Sequence, residues 1–300
     1  MCCLFGIHDY GHRLSRKQRS SILSALAIAS EARGTDATGI AYNAAGKLCV
    51  YKRPLPGHLM WFRVPQEATV ISGHTRAATQ GSEKRNWNNH PFLGKAGNTP
   101  FALAHNGVLY NDLNLRKDKK LPATNVETDS YIAVQLLEAA GELNFNGLRK
   151  MAEPLKGSFT FTVLSAQDDL YFVKGDNPMC IYHYPHLGLY LYASTEEILR
   201  TALLALPFRL GQPERIDIFC GQILRIDAQG KRSHSYFDDQ NLYHRVYSPW
   251  YNWEPTPSGD AYLQELKSVA AFYGYTPDDV DYLLQQGYTT DDIEELLYCG

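Results

Sequence analysis

MCCLFGIHD, residues 1–9, is the stretch on which the interpretation of this chain depends. If Met1 is removed, Cys2 becomes the first residue and carries a thiol beside a free α-amine. A thiol attacks as thiolate, and an α-amine of pKa roughly 7.7–8.0 can accept its proton. Residues 4–7, LFGI, predict a short strand that buries the backbone behind this thiol. The alternative is that Cys2 and Cys3 are small apolar residues at the start of a strand.

The composition indicates a globular chain without strong electrostatic partners. The 300 residues are 44% hydrophobic and carry a net charge of −3, which gives no overall attraction to nucleic acid or to an anionic membrane. No apolar run approaches the ~18 residues of a membrane span. The six cysteines, at positions 2, 3, 49, 180, 220 and 299, form no CxxC pair. We therefore expect a reducing, cytoplasmic location.

Strands and helices are expected in separate blocks. Hydrophobic periodicity predicts an amphipathic helix over 15–32 and further helices over 125–141, 144–155 and 195–206. Strands are expected over 68–77 and 101–110, and hairpins over 38–53, 158–175, 180–194 and 214–237. Blocks of this kind are typical of layered α+β folds rather than of a parallel βαβ sheet.

The last 60 residues differ from the rest. Residues 241–259 contain three prolines and no regular periodicity, which predicts a linker. Two 13-residue repeats follow at 275–287 and 288–300, each with a threonine N-cap, acidic residues in the first turn and a closing glycine. With 261–274 they predict a small acidic three-helix unit over 260–300. It resembles ubiquitin-associated modules in size and pattern, and a structural cap on the main domain is the alternative.

Five short motifs whose side chains suit catalysis or substrate binding follow one another along the main domain. They are Cys2, RGTDATG at 33–39, GHTRAAT at 73–79, HNG at 105–107 and ETDS at 127–130. Asn106 and Gly107 can offer a side-chain and a backbone N–H to an oxygen that becomes negative during attack on an amide. Taken alone, Asn-Gly more often marks a hairpin turn.

An amino-acid substrate needs one cation and one anion. Arg76 follows a buried strand and can bind an α-carboxylate with its planar fork, and Asp129 at a helix start can bind an α-ammonium. The alternatives are a surface salt bridge for Arg76 and a favourable interaction with the helix dipole for Asp129. The histidines match no ligand spacing, so we expect no metal and no cofactor.

The five motifs, in this order and spacing, resemble those of the class II glutamine amidotransferases over residues 2–235. The resemblance implies a four-layer αββα N-terminal-nucleophile sandwich over residues 2–240. It also implies catalysis by Cys2, Asn106 and Gly107. The remaining roles that it implies are glutamine binding by Arg76 and Asp129, a covering loop that contains Thr79, and structural support from Arg33 and Asp36.

Three positions depart from the family pattern. Cys3 replaces a frequent glycine, Ala77 replaces a frequent aromatic residue, and Tyr131 replaces an acid. We expect Cys3 to point away from Cys2 on the strand and not to replace it. Ala77 puts in doubt how tightly the substrate loop closes.

The expected activity is hydrolysis of the glutamine side-chain amide to glutamate and ammonia through a Cys2 thioester. Too few residues follow 235 for a synthase domain, so ammonia is expected to pass to a separate acceptor enzyme, docked through 241–300. The alternative is a non-catalytic or regulatory protein that keeps the fold and recruits a partner through its C-terminal helices.

Overall fold

The computed structural model describes residues 2–242 and 275–290, together with helical positions 263, 266–267, 270, 293 and 296–297. The chain divides into two compact units, residues 1–246 and 247–300. Met1 and residues 243–259 of the linker expected over 241–259 lie outside the described residues. In the described part, no helix is long and apolar enough to cross a bilayer.

The larger unit contains thirteen strands among the described residues. Their bounds are β1 Cys3–Asp9, β2 Ala37–Ala44, β3 Lys47–Arg53, β4 Val70–Arg76, β5 Phe92–Ala96, β6 Thr99–Leu109, β7 Gly157–Ser165, β8 Leu170–Lys174, β9 Cys180–Tyr184, β10 Leu189–Ala193, β11 Glu214–Ile216, β12 Gln222–Ile226 and β13 Arg232–Tyr236. The first sheet has the order β11-β9-β10-β1-β4-β2-β3, and the second has the order β13-β12-β8-β7-β6-β5. Neighbouring strands in both sheets are antiparallel.

The described helices lie in the connections between these strands. They are α1 Arg16–Ala29, α2 Asp112–Asp118, α3 Tyr131–Ala140, α4 Phe145–Ala152 and α5 Glu196–Leu204, with 3₁₀ turns at Ser30–Ala32, Gly57–Leu59 and Asn86–Asn88. Ser15 caps α1 in a reciprocal capping box with Gln18, and Asn144 caps α4. These caps fix helix starts that the sequence pattern placed within one or two residues.

Three apolar clusters separate four layers. One cluster joins α1 and α5 to the first sheet, and a second joins α3 and α4 to the second sheet. The third lies between the two sheets and includes Leu4, Ala104 and Phe172. The two facing antiparallel sheets with helices outside confirm the expected αββα sandwich.

Two expected elements differ from the structure. The 214–237 segment is not one hairpin: β12 and β13 form a hairpin in the second sheet, whereas β11 pairs with β9 in the first. The chain turns between them at Gly221, whose φ of +80° favours glycine. The helix expected from residue 125 begins only at Tyr131, because Asp129 and Ser130 use their side chains in tertiary hydrogen bonds.

The smaller unit contains α6 Pro277–Gln285, which starts at a Thr276–Asp279 capping box. Its described core consists of apolar residues at helical spacing (Leu266, Ala270, Val280, Ile293 and Leu297). These residues fit the expected helical unit. Its three-helix organisation stays a prediction, since much of 260–300 lies outside the described residues.

Candidate active site

The first strand carries Cys2 into the middle of the first sheet. β1 lies between β10 and β4, and its register pairs Cys3 with Thr75. The start of β1 therefore lies beside the end of β4, and the Cys2 Sγ is 3.5 Å from the Ala77 carbonyl oxygen. Burial raises the pKa of the Cys2 thiol, and the Ala77 contact and the Arg76 charge oppose this shift.

The alternation of β1 places the two cysteines on opposite faces. Cys3 and Phe5 belong to the apolar cluster under the outer helices, whereas Leu4 belongs to the cluster between the sheets. Successive strand residues point to opposite faces, so Cys2 continues the face of Leu4. Cys2 therefore lies on the side of its sheet that faces the second sheet.

The second sheet presents Asn106 toward the same layer. Ala104, two residues earlier on β6, packs in the cluster between the sheets. On β4, Val70 packs in that cluster too, and Arg76 shares its face. Both β1 and β4 contact β6. The layer between the sheets thus contains Cys2, Arg76 and Asn106.

The Asn106 side chain is buried, and neither of its polar atoms has a hydrogen-bond partner among the described residues. A buried amide without a partner costs about 1–3 kcal/mol. Most buried polar groups in proteins are paired, so an amide without a partner in the same layer as the Cys2 thiol is a candidate hydrogen-bond donor to a bound ligand.

The backbone N–H of Gly107 points away from β7. In the β6–β7 pair, the Tyr110 N–H binds the Lys156 carbonyl oxygen, so even-numbered β6 residues bond to β7 and odd-numbered ones point to the other side. On that side the neighbouring strand is β5, but it begins at Phe92, opposite Leu103, and does not extend as far as Gly107. Gly107 has a φ of +140°, and a Cβ there would lie 1.9 Å from the Ser158 carbonyl oxygen. Only glycine fits this position.

Arg76 is buried and holds the loop that follows it. One terminal nitrogen donates to the Asn89 Oδ1 at 2.7 Å, and the other donates to the carbonyl oxygens of Gln80 and Gly81 at 2.6 and 2.7 Å. Burial lowers the pKa of Arg76, and the charges of Cys2, Asp36, Glu83 and Asp129 oppose this shift. The guanidinium of an arginine stays protonated in proteins, so a fixed positive charge lies near the thiol.

Asp129 lies in the turn before α3 and is also buried. Its Oδ2 accepts the Leu109 N–H at 2.6 Å, and its Oδ1 accepts the Ser130 hydroxyl at 3.3 Å. Burial raises the pKa of the carboxyl, whereas these bonds and the Arg76 charge lower it. Asp129 also raises the pKa of Cys2. The structure therefore brings the thiol, the cation and the anion within electrostatic reach of one another.

Arg33 and Asp36 contact the backbone on both sides of the thiol. The Arg33 Nε donates to the Cys2 carbonyl oxygen at 3.1 Å. The Asp36 carboxylate accepts the Ala78 N–H at 2.6 Å, and the backbone N–H of Asp36 donates to the Arg76 carbonyl oxygen at 2.9 Å. The supporting roles that the family resemblance implies for Arg33 and Asp36 stay a prediction, and these contacts are the ones such roles would use.

The other singled-out positions have different environments. Thr79 is exposed in the loop after β4, and Ala77 before it is partly exposed. Tyr131 starts α3 and packs its ring edge-on against Phe92, with centroids 5.4 Å apart. Neither Ala77 nor Tyr131 displaces one of the polar groups described above.

Sequence reasoning missed the residues that hold the loop over 77–91. Asn89 accepts Arg76 through its side chain, and the Lys52 Nζ donates to the carbonyl oxygens of Asn89 and Pro91 at 2.5 and 3.1 Å. Burial, together with the Arg76 charge, lowers the pKa of Lys52 to about 8. The polar run before Pro91 was the available signal, but it gives no partner by itself. In the described residues, no group of three His, Cys, Asp or Glu side chains could hold a metal ion.

Comparisons with known proteins identify the family and the fold. Residues 74–201 match the family model described as "Glutamine amidotransferase domain". The glutamine–fructose-6-phosphate aminotransferase (isomerizing) of Geobacillus kaustophilus is 34% identical over 161 residues, covering 50% of this chain and 26% of the relative. That of Aquifex aeolicus is 32% identical over 163 residues, with the same coverage of 50% and 26%. The chain thus spans about a quarter of the length of these relatives.

Two solved structures share the fold. Glutamine phosphoribosylpyrophosphate amidotransferase from B. subtilis, complexed with ADP and GMP, matches with a TM-score of 0.61 and 20% identity. The match covers 79% of this chain and 49% of that one. A structure described as the allosteric regulatory enzyme of purine biosynthesis gives a TM-score of 0.62, also at 20% identity and with the same coverage. At this identity the likeness shows the fold alone.

Proposed function

This chain contains a class II glutamine amidotransferase domain, and from that premise we propose that it hydrolyses the side-chain amide of glutamine. The observation that carries the proposal is the buried amide of Asn106, which has no hydrogen-bond partner among the described residues and lies in the same layer between the sheets as the Cys2 thiol. The Arg76 guanidinium and the Asp129 carboxyl group, which interact electrostatically with each other and with Cys2, suit the two ends of an amino acid.

The reaction begins after removal of Met1. The Cys2 α-amine accepts the thiol proton, and the thiolate sulfur attacks the side-chain carbonyl carbon of glutamine. The carbonyl oxygen becomes negative and accepts hydrogen bonds from the Asn106 side-chain amide and the Gly107 N–H. Such preorganised donors are worth ~10²–10³ in kcat each.

The tetrahedral intermediate then collapses. The ammonium form of the Cys2 amine gives its proton to the leaving nitrogen, the carbon–nitrogen bond breaks, and ammonia departs. A γ-glutamyl thioester remains on Cys2. Water attacks this thioester, with the amine again as the base, and releases glutamate and the free thiol. Burial that raises the pKa of the thiol makes a base within the same residue important.

Arg76 and Asp129 hold the amino-acid end of the substrate in this proposal. Three N–H groups of Arg76 are used by the loop, so its remaining N–H groups and its charge attract the α-carboxylate. The Asp129 carboxyl oxygens accept bonds from Leu109 and Ser130 and have lone pairs left for further bonds from the α-ammonium. Arg33 and Asp36 keep the nucleophile and the loop in register.

Ammonia is proposed to pass to a separate acceptor enzyme, with residues 241–300 as the docking segment. The curated relatives are about four times as long as the matched part, so their whole reaction is not transferred to this chain. Affinity capture with and without 241–300 tests the docking segment. A truncation that only lowers the melting temperature and loses no partner indicates a structural cap.

Glutamine hydrolysis is tested on protein whose intact mass shows that Met1 has been removed. We expect glutamate and ammonia from the wild type, covalent labelling of Cys2 by a diazo-ketone analogue of glutamine, and neither from Cys2→Ala. Cys3→Ala is the matched control, because Cys3 is the cysteine next to Cys2 but its side chain is buried in the apolar cluster under the helices. Absence of turnover and of labelling in the processed wild type would contradict catalysis and favour the non-catalytic alternative.

A further inference from the structure

We infer that His74 is a positioning residue that holds the peptide before Asn106 in place of a missing strand partner. The ring is fully buried on β4, and its Nε2 is 2.9 Å from the His105 carbonyl oxygen. His74 belongs to the sheet of the nucleophile, and His105 belongs to the sheet of the oxyanion donors. The catalytic consequence of this bond rests on the proposed function.

The His105 carbonyl lies where β6 has lost a neighbour. As an odd-numbered β6 residue, His105 directs its N–H and C=O away from β7, by the same alternation that frees Gly107. The β5 ladder ends at Phe92 with Leu103. The His74 side chain therefore supplies, across the layer between the sheets, the donor that a longer β5 would have supplied within the sheet.

The protonation of the ring follows from its partner. A carbonyl oxygen only accepts, so the Nε2 of His74 carries the proton. Burial lowers the pKa of His74 to about 3, which keeps the ring neutral with a single proton. Its Nδ1 has no hydrogen-bond partner among the described residues. The one donor of the ring is thus committed to the His105 carbonyl.

This bond bears directly on the oxyanion donors. The His105 carbonyl and the Asn106 N–H belong to one peptide, so rotation of that peptide redirects the Asn106 side chain and the following Gly107 N–H. His74 is paired with Leu4 of β1, two residues from Cys2. The bond therefore fixes the distance between the attacking sulfur and the groups that receive the oxyanion, while Arg76 and Asp129 are held by other contacts.

Three variants test the inference. His74→Phe keeps a buried ring but removes the donor, and His74→Gln restores an N–H near the Nε2 position. His8→Phe is the matched control, because His8 is another fully buried histidine of the same sheet and lies at the opposite end of β1. We expect His74→Phe to lower kcat by about 10² with KM within about twofold. His74→Gln should recover most of this loss, and His8→Phe should leave kcat unchanged.

Two further measurements separate positioning from stability. Glutamate γ-semialdehyde forms a thiohemiacetal whose oxygen occupies the oxyanion position, so its affinity should fall with kcat in His74→Phe, while glutamate affinity stays unchanged. Amide hydrogen–deuterium exchange over residues 104–108 should be faster in His74→Phe than in His8→Phe.

An active wild type with an unchanged kcat in His74→Phe, or an equal loss in His8→Phe, would overturn the inference. If the wild type hydrolyses no glutamine, the proposed function fails, and the exchange measurement alone still decides about His74. Equal exchange over 104–108 in the two variants would then overturn the positioning role, and faster exchange in His74→Phe would support it.

Discussion

Replacement of Asn106 by alanine should lower activity without lowering stability. As an oxyanion donor, its side chain is worth ~10²–10³ in kcat, or about 2.7–4 kcal/mol. Its buried amide has no partner among the described residues, and such a group costs the folded state about 1–3 kcal/mol. Asn106→Ala removes this penalty and loses only the packing of a small polar side chain. The melting temperature should therefore stay equal or rise.

The expected change in melting temperature follows from the size of the unit. The lost packing offsets most of the removed penalty, so we expect a net gain of zero to about 1 kcal/mol. For 150–250 residues, 1 kcal/mol corresponds to about 2–4 °C, which gives a rise of zero to about 4 °C. Asn177→Ala is the matched control. Asn177 is also buried, but its backbone carbonyl accepts the Thr160 hydroxyl and its side-chain amide donates to the Ser158 hydroxyl. Loss of the hydrogen bond from the Asn177 side-chain amide to Ser158 should lower the melting temperature.

The assay combines differential scanning calorimetry with steady-state glutaminase kinetics, and the concentration of active sites is counted by labelling with the diazo-ketone analogue. A kcat within tenfold of the wild type would exclude Asn106 as an oxyanion donor. A melting temperature that falls as far as in Asn177→Ala would show instead that Asn106 is a structural residue with a partner in solution.

Three further predictions concern other parts of the chain. Arg76→Lys keeps the charge but cannot make all three loop bonds, so KM for glutamine should rise about 10–100-fold; an unchanged KM in steady-state kinetics would contradict substrate binding there. Burial lowers the pKa of His8 to about 4 and that of His74 and His105 to about 3, so these three histidines bind more protons in the unfolded chain than in the folded one below pH ~6.5. Their contribution to the free energy of unfolding should be fully present above that pH and fall as the pH drops toward 4, and the fall should be shallower in His8→Phe. Thermal melts across this pH range that show no difference between His8→Phe and the wild type would refute the claim that burial lowers the pKa of His8. Removal of 241–300 should leave the kcat for glutamine hydrolysis within about twofold, because the residues proposed for catalysis lie before position 131, and a larger loss in the same assay would implicate the C-terminal segment in catalysis.

Local signals in the sequence were sufficient for much of the secondary structure. The hairpin of β2 and β3 turns at Ala45 and Gly46, both with positive φ, where the sequence has Asn43–Gly46. The helices α1 and α4 begin at polar N-caps that are visible in the sequence. By contrast, nothing local in residues 214–216 shows that β11 joins the first sheet, because its partner β9 is about thirty residues earlier.

The sequence by itself determined the family, the layered α+β class and the residues proposed for chemistry, since these depend on ordered motifs and on short-range periodicity. Only the tertiary structure decided that Asn106 has no hydrogen-bond partner among the described residues, that Gly107 directs its N–H away from β7, and that His74 reaches the second sheet. The physical reason is that a strand's free hydrogen-bonding groups depend on where its neighbours end. The β5–β6 ladder stops at Phe92 and Leu103, and the side chain that takes over beyond it, His74, comes from the other sheet, which only the packing of the two sheets determines.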